Sequence, residues 1–403
     1  MKNEKVMNAN YQKITEEILG LAGVKINGSA PSDIQVHNKE FFRRAITEGE
    51  LGLGESYMYG WWDAEKVDEL IDKILSAKLD EKIRRKFSIL LKLFTARVFN
   101  LQSKRRAFII GEKHYNLGND LFQNMLDKRM NYSCAYWHNA SSLDEAQENK
   151  LELICKKLYL EPGMKVLDIG CGWGAFGKYS AEKYRVEVVG ITVSKEQVEL
   201  GKKLCEGLPV VFRLKDYRDV KEKFDRIVSV GMIEHVGYKN YRIYFETANR
   251  CLKDDGLFLL HTIGNVKSAK SIDLWTHKYI FPNGMLPSVA QISRAVENLF
   301  VIEDLHNFGI DYDKTLMVWY ANFKNNWDKI KDKYEGHFYR MWEYFLLSSA
   351  GSFRARRNQL WQIILSKNGI QGGYQSFRNS SYSPSSLARK METGDGFRKY
   401  SLC

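Results

Sequence analysis

Apolar positions divide the chain into segments of different period. Tyr11, Ile14, Ile18 and Leu21 recur three and four residues apart, the stripe of an amphipathic helix. The stripe is broken between Glu48 and Trp62 by four glycines and two tryptophans. This mix suits a packed surface loop or an aromatic patch at a lipid interface, and the packed loop is preferred. Helical spacing returns at Ile83, Phe87, Leu90, Leu91, Phe94, Val98 and Leu101. Between Lys82 and Arg106 the chain carries nine Lys or Arg and no acid. A basic amphipathic helix fits a membrane surface or an acidic partner, and equally a linker helix with a solvated basic face.

From about Leu151 the period alternates. Lys165–Ile169, Glu187–Thr192, Val210–Leu214, Phe224–Ser229 and Leu257–Ile263 read as strands; Gly174–Tyr184, Lys195–Leu204 and Tyr241–Cys251 read as helices between them. That order predicts an α/β fold with a doubly wound, mostly parallel sheet. Val301–Leu305 and Leu316–Ala321 are expected to add the last two strands. Residues 265–297 form an insertion placed to cover a pocket. The Gly-, Ser- and Arg-rich tail after Gly369 is expected to be partly disordered.

The 403 residues allow two or three domains, with a boundary near the basic helix. The net charge of +12 favours a polyanion, either nucleic acid or an anionic membrane face. Nucleic-acid binding needs base-stacking or groove-reading motifs. Only the amphipathic helix is present, and its apolar face favours lipid or protein. No apolar run reaches the ~18 residues of a membrane span. The first residues carry no secretory core, so a cytoplasmic location is expected. The six cysteines are scattered, without CxxC or His/Cys clusters, and neither disulfides nor a metal site are expected.

The chemistry begins at Asp168-Ile-Gly-Cys-Gly-Trp-Gly174, at the end of the first strand of the alternating region. Ligands of doubly wound sheets sit at the carboxyl ends of strands. Glycines there let the backbone approach a ligand and leave helix N–H groups free. Gly172-Trp-Gly-Ala-Phe-Gly177 also matches GxGxxG, a weak dinucleotide signal. A nicotinamide site expects an acid about 20 residues on, where this chain has Gly190-Ile-Thr192. S-adenosylmethionine fits better.

With this turn, the chain resembles the cyclopropane-fatty-acyl-phospholipid synthases. The motifs are Asp168–Phe176 with Gly190–Gln197, His114–Phe122, Met130-Asn-Tyr-Ser-Cys-Ala-Tyr-Trp137, Val228-Ser-Val-Gly-Met-Ile-Glu-His-Val-Gly237 and Phe353–Trp361. They span roughly residues 40 to 375. The glycine turn is shared by many methyltransferases; the tyrosine–cysteine and Glu-His-Val-Gly segments are far more specific.

The resemblance implies a Rossmann-like class I methyltransferase sheet with a lid insertion. It divides the chain into a small N-terminal membrane or dimerisation domain (1–80), a basic linker helix (81–106), a catalytic domain (107–370) and a polar tail (371–403). It implies transfer of a methylene group from S-adenosylmethionine to a cis double bond of a phospholipid acyl chain, through a carbocation that bound bicarbonate deprotonates. The bicarbonate ligands would be Cys134, Glu234, His261, the backbone of Ile263, and Tyr312, the last placed in a loop between late strands. Tyr132, Ser133, Asp168, Gly170, Cys171, Gly172, Gly174, Thr192, Gln197, Asp216 and Tyr217 would hold S-adenosylmethionine. The implied partners are a second copy of the chain and a bilayer with unsaturated chains and an anionic surface, met from the inner face of the membrane. His235 is expected to be structural. Ser349 stands where some relatives carry a cysteine, so no mechanism needs a nucleophilic thiol there. Methylation of a lipid or a small amine without ring closure is the competing activity.

Overall fold

A computed structural model describes residues 2–79, 82 and 118–377. The basic stripe, apart from Lys82, and the tail beyond residue 377 lie outside the described residues. So does the start of the His114–Phe122 motif.

Two short strands, β1 (Gln35–Val36) and β2 (Trp62–Asp63), pair antiparallel in the N-terminal region, and seven more form one sheet: β3 (Lys165–Ile169), β4 (Glu187–Thr192), β5 (Val210–Leu214), β6 (Phe224–Val230), β7 (Leu252–Asn265), β8 (Val301–Asn307) and β9 (Asn358–Ser366). The spatial order is β5-β4-β3-β6-β7-β9-β8, with β9 antiparallel to both neighbours. Strand order reverses between β3 and β6, the switch point at whose carboxyl ends doubly wound sheets hold their ligands. Both faces are covered. Val166, Val188, Val228 and Leu259 point into one apolar cluster, and Leu167, Val189, Ile227 and Phe258 into another. This strict alternation places each strand's register.

The expected strand at Leu316–Ala321 is instead part of a long helix, Ile310–Ile330. Its run of Met, Val, Trp and Tyr looks strand-like locally. The buried positions Tyr312, Thr315, Leu316, Trp319 and Phe323 nevertheless recur at three and four, the helical period. The last strand is β9, formed by the segment that follows the Arg-rich motif.

The glycine-rich segment Glu48–Trp62 is not a loop. It contains the helix Glu50–Met58, and Trp62 is fully buried with its Nε1 donating to Leu53 O at 3.0 Å. Two of its glycines serve close packing rather than turns. A Cβ at Gly52 would lie 2.3 Å from Arg44 O, and one at Gly54 would lie 2.4 Å from the Trp275 ring. The N-terminal helices, the insertion helix Leu274–Tyr279 and the helix Phe338–Arg354 share one hydrophobic core. Glu55 ties them together. Its Oε1 accepts from Lys278 Nζ and Tyr279 OH, each at 2.8 Å, and its Oε2 meets Arg44.

Candidate active site

A cavity of about 650 Å³ opens above the carboxyl ends of β6 and β7. Its floor carries Tyr132, Ser133, Glu234, His261, Ile263 and Tyr312. The sheet positions three of these. Glu234 lies in the 3-10 turn after β6; His261 and Ile263 lie on β7. Tyr312 comes from the first turn of the helix Ile310–Ile330, not from a loop, and stacks on Phe353 at 4.5 Å. Apolar walls come from distant segments: Leu53 and Ile71 from the N-terminal helices, Phe281 and Met285 from the insertion, and Phe345 from the helix before β9. The insertion thus covers the pocket as its position in the sequence predicts.

The floor is polar and incompletely satisfied. Glu234 Oε1 accepts from the Ile263 N–H at 2.8 Å, and Met285 N donates to Glu234 O at 2.7 Å. Glu234 Oε2 is buried without a partner. Burial pushes the carboxyl up to about 7, against the pull of the Ile263 N–H. His261 is 1% exposed, and burial holds its ring far below the ordinary imidazole range, helped by Lys150 and Lys157. The ring is therefore neutral. Gln362 Nε2 lies 3.2 Å from Nδ1 across the β7–β9 pairing. With the amide donating to Nδ1, the proton sits on Nε2, which is buried and unpartnered. Tyr132 OH is a third buried group without a partner. A donor imidazole, a donor phenol and a near-neutral carboxyl on one floor suit a small oxyanion that carries a proton.

Cys134 stands apart from these residues. Its thiol is fully buried behind the cavity and donates to Ala135 O at 3.2 Å; it does not line the wall. Burial pushes it well above the ordinary thiol range. It lies close enough to Tyr312 to influence that phenol's ionisation. Ser349 does line the cavity. His235 lies on the rim with its ring edge-on to Phe281 at 5.7 Å.

The glycine turn leaves β3 with Gly170, Gly172 and Gly174 at φ of +81°, +54° and +89°, a region that side chains avoid. A Cβ at Gly170 would also strike Met232 at 2.7 Å, whereas the space beside Gly172 is open. The amides of Gly170 and Cys171 both donate to Ile191 O, which locks the turn to β4. Asp168 is buried beneath it, and burial raises its carboxyl to about 7 despite Lys150. Thr192 Oγ1 donates to Gln197 Oε1 at 2.6 Å at the end of β4. After β5, Asp216 pairs with Arg218 at 2.8 Å and Tyr217 packs edge-on to Tyr244. These residues lie at the carboxyl ends of β3, β4 and β5, and none of them lines the cavity described above.

Two buried residues escaped the sequence reading. Gln362 is fully buried on β9, a strand that was not expected. Lys150, 1% exposed, donates from Nζ to Asn131 Oδ1 at 2.8 Å and Ser133 Oγ at 2.9 Å. Burial lowers its ammonium to about 8, opposed by Asp127, Cys134 and Asp168. Ser133 Oγ accepts from Lys150, so its own proton is free for the cavity. The i, i+3 spacing of Gln147 and Lys150 was the available signal: Gln147 Nε2 also holds this segment, donating to Ser133 O at 2.9 Å.

The sheet order, the glycine turn at its switch point and the covering helices define a class I S-adenosylmethionine-dependent methyltransferase fold. The family model for mycolic acid cyclopropane synthetase matches residues 102–363, and the chain belongs to that family. It is 54% identical to the cyclopropane-fatty-acyl-phospholipid synthase of Escherichia coli K12, over 93% of this chain and 97% of that one. It is 35% identical to a probable fatty acid methyltransferase of Pseudomonas putida, over 64% of this chain and 69% of that one. Among solved structures, a mycolic acid cyclopropane synthase complexed with SAH and CTAB superposes with a TM-score of 0.60 at 33% identity, covering 64% of this chain and 97% of that one. Coclaurine N-methyltransferase has the same fold at 22% identity, with a TM-score of 0.61 over 80% of this chain and 99% of that one.

Proposed function

We propose that this chain transfers a methylene group from S-adenosylmethionine to the cis double bond of unsaturated acyl chains in membrane phospholipids, giving cyclopropane chains. The observation that carries the proposal is the cavity itself. Its walls are apolar side chains such as Leu53, Ile71, Phe281 and Phe345, and its floor is one where Glu234 Oε2, His261 Nε2 and Tyr132 OH lack partners. The near full-length similarity to the Escherichia coli synthase supports it.

Bound S-adenosylmethionine would supply an electrophilic methyl, and bicarbonate a base for one of its protons. The glycine turn, with Thr192, Gln197, Asp216 and Tyr217, would hold the nucleoside; Tyr132 and Ser133 would hold the methionine end. An alkene is a weak nucleophile, so the shaft aligns it and excludes water. The cation that follows attack faces aromatic rings. Trp319, 1% exposed, lies 5.4 Å from Tyr132 and 6.0 Å from Tyr312 between ring centroids, and such faces stabilise positive charge. His261 Nε2–H is a donor for an anion on the floor, and Tyr312 lies beside it, whereas the Ile263 N–H is committed to Glu234 Oε1 and positions that carboxylate rather than the anion. Glu234, ionised above about pH 7, accepts the remaining proton of that anion. Cys134 supports Tyr312 from behind in this arrangement, outside the cavity lining.

The catalytic unit is residues 107–370, preceded by an N-terminal domain (1–80) and the basic linker (81–106). The protein is a homodimer in the cytoplasm that docks on an anionic inner membrane face. No helix among the described residues is long and apolar enough to cross a membrane.

The test supplies purified protein, S-adenosylmethionine and bicarbonate to liposomes with cis-unsaturated chains, then reads the lipids by mass spectrometry. A gain of CH₂ with loss of the double bond is expected. A methyl branch, or a methylated amine head group with intact chains, establishes methylation without ring closure instead.

A further inference from the structure

The cavity has two exposed rims. Gly231 and His235 form one, at the carboxyl end of β6 and next to Met232, which packs against Gly170 of the cofactor turn. Glu50, Ser271 and Arg357 form the other. These three come from the start of the helix Glu50–Met58, the insertion and the turn before β9.

The second rim is charged where the shaft below it is apolar. Glu50, Asp273 and Arg357 all line the cavity, which brings three charges to this rim. Asp273 Oδ1 is committed to capping its helix, accepting from Thr276 N at 2.8 Å. Neither Glu50 nor Arg357 makes an ion pair within 4 Å of its charge among the described residues. The register sets the depth. Asn358 pairs with Asn265 and Gln362 with His261. Asn358, next to Arg357, therefore stands four strand positions above Gln362 and the floor, about 13 Å at ~3.3 Å per residue. Leu53, Ile71, Phe281 and Phe345 line the shaft.

We propose that this rim binds the head group of a zwitterionic glycerophospholipid, with Arg357 on the phosphodiester and Glu50 on the head-group ammonium, while one acyl chain descends to Glu234 and His261. The assignment rests on the phospholipid reaction proposed above. Arg357 offers the planar donor fork that suits a phosphate. Two carboxylates beside that arginine disfavour a lone anion and favour a ligand that carries its own cation at short distance. With the phosphodiester held at the rim, the depth of the shaft selects which bond along the chain reaches the floor.

The test uses vesicles of fixed total anionic content, set with saturated phosphatidylglycerol, in which the unsaturated chains are carried by phosphatidylethanolamine or by phosphatidylglycerol. Ring formation is read by lipid mass spectrometry. The wild-type protein is expected to favour the ethanolamine lipid several-fold. Arg357→Gln is expected to raise the lipid concentration for half-maximal rate about tenfold for both lipids, with the KM for S-adenosylmethionine unchanged. Arg357→Lys is expected to restore part of that loss, which a folding defect would not allow. Glu50→Gln is expected to move the ethanolamine-to-glycerol product ratio toward one. Glycerophosphoethanolamine, without acyl chains, is expected to inhibit better than inorganic phosphate; equal inhibition makes the rim a general anion site and overturns the assignment. Equal use of both lipids by the wild type, or an unchanged Arg357→Gln, also overturns it while leaving the reaction intact. Absence of ring product in every lipid overturns the reaction itself.

Discussion

The floor and the roof of the cavity are built by opposite means. The floor uses a few residues fixed by strand backbones: Glu234 held by the Ile263 N–H, and His261 held by Gln362 across paired strands. Its polar atoms are buried and left unsatisfied, a state that costs stability wherever it occurs. The roof uses many apolar side chains from helices far apart in sequence, fastened by the Glu55 cluster with Arg44, Lys278 and Tyr279. The carboxylate at the centre of that cluster has partners on both oxygens. Strand geometry places atoms tightly enough for proton transfer, whereas packed helices set only the shape and length of what enters. On the proposed function, chemistry belongs to the floor and selection to the roof.

Glu234→Gln probes this division most strongly. Ring formation is expected to fall about a thousandfold, while calorimetry shows S-adenosylmethionine still bound. Stability should move the other way. Burial raises the folded-state pKa from 4.5 to about 7, so between these values the folded form binds more protons than the unfolded. Its stabilising contribution is complete below about pH 4.5 and is lost as pH rises through about 7. At pH 8 the glutamine variant is expected to be more stable than the wild type, by on the order of 2–3 kcal/mol in denaturant titration, with the gap closing by pH 5. A gap that widens toward acid would show that Glu234 is ion-paired rather than desolvated.

Gln362→Leu is the next largest expected effect, a loss of about 10- to 100-fold in rate. The Nδ1 partner disappears and the tautomer is no longer fixed. The expected signature is a weaker dependence of rate on added bicarbonate with an unchanged KM for S-adenosylmethionine. A purely structural role would lower stability and leave that dependence alone.

Glu55→Gln tests the roof. Removing one member of a buried charge cluster typically costs about 3–5 kcal/mol, so thermal unfolding should occur at lower temperature. In the surviving folded protein the KM for lipid should rise several-fold, with kcat nearly preserved. A selective loss of kcat would show that the roof also aligns the reacting groups. Cys134→Ser has the smallest expected effect, a several-fold loss of rate. Full activity would remove the thiol from the anion's ligands, and a thousandfold loss would show that the thiol reaches the cavity during turnover.

Much of this division is legible along the chain. The alternation from Leu151 onward fixes the mostly parallel sheet, because the central strands β3 and β4 bury both faces while the helices between strands bury one stripe. The glycine turn is legible because only glycine tolerates three positive φ values in five residues. The expectation failed where local and tertiary preferences conflict. Leu316–Ala321 carries strand-forming residues on a helical period, and Gly52 and Gly54 mark helix contacts instead of a turn. The glycine turn, the positions of Glu234 just after a strand and of His261 on one, and the family were thus determined by the sequence alone, since each depends on neighbours a few residues away. Only the tertiary structure decided that Gln362 orients His261, that Lys150 lies beneath Ser133, that Cys134 sits behind the wall, and that Leu53 and Ile71 close the cavity. These contacts join residues tens to hundreds of positions apart, and burial and unpaired hydrogen-bonding atoms are properties of the assembled chain that no local pattern encodes.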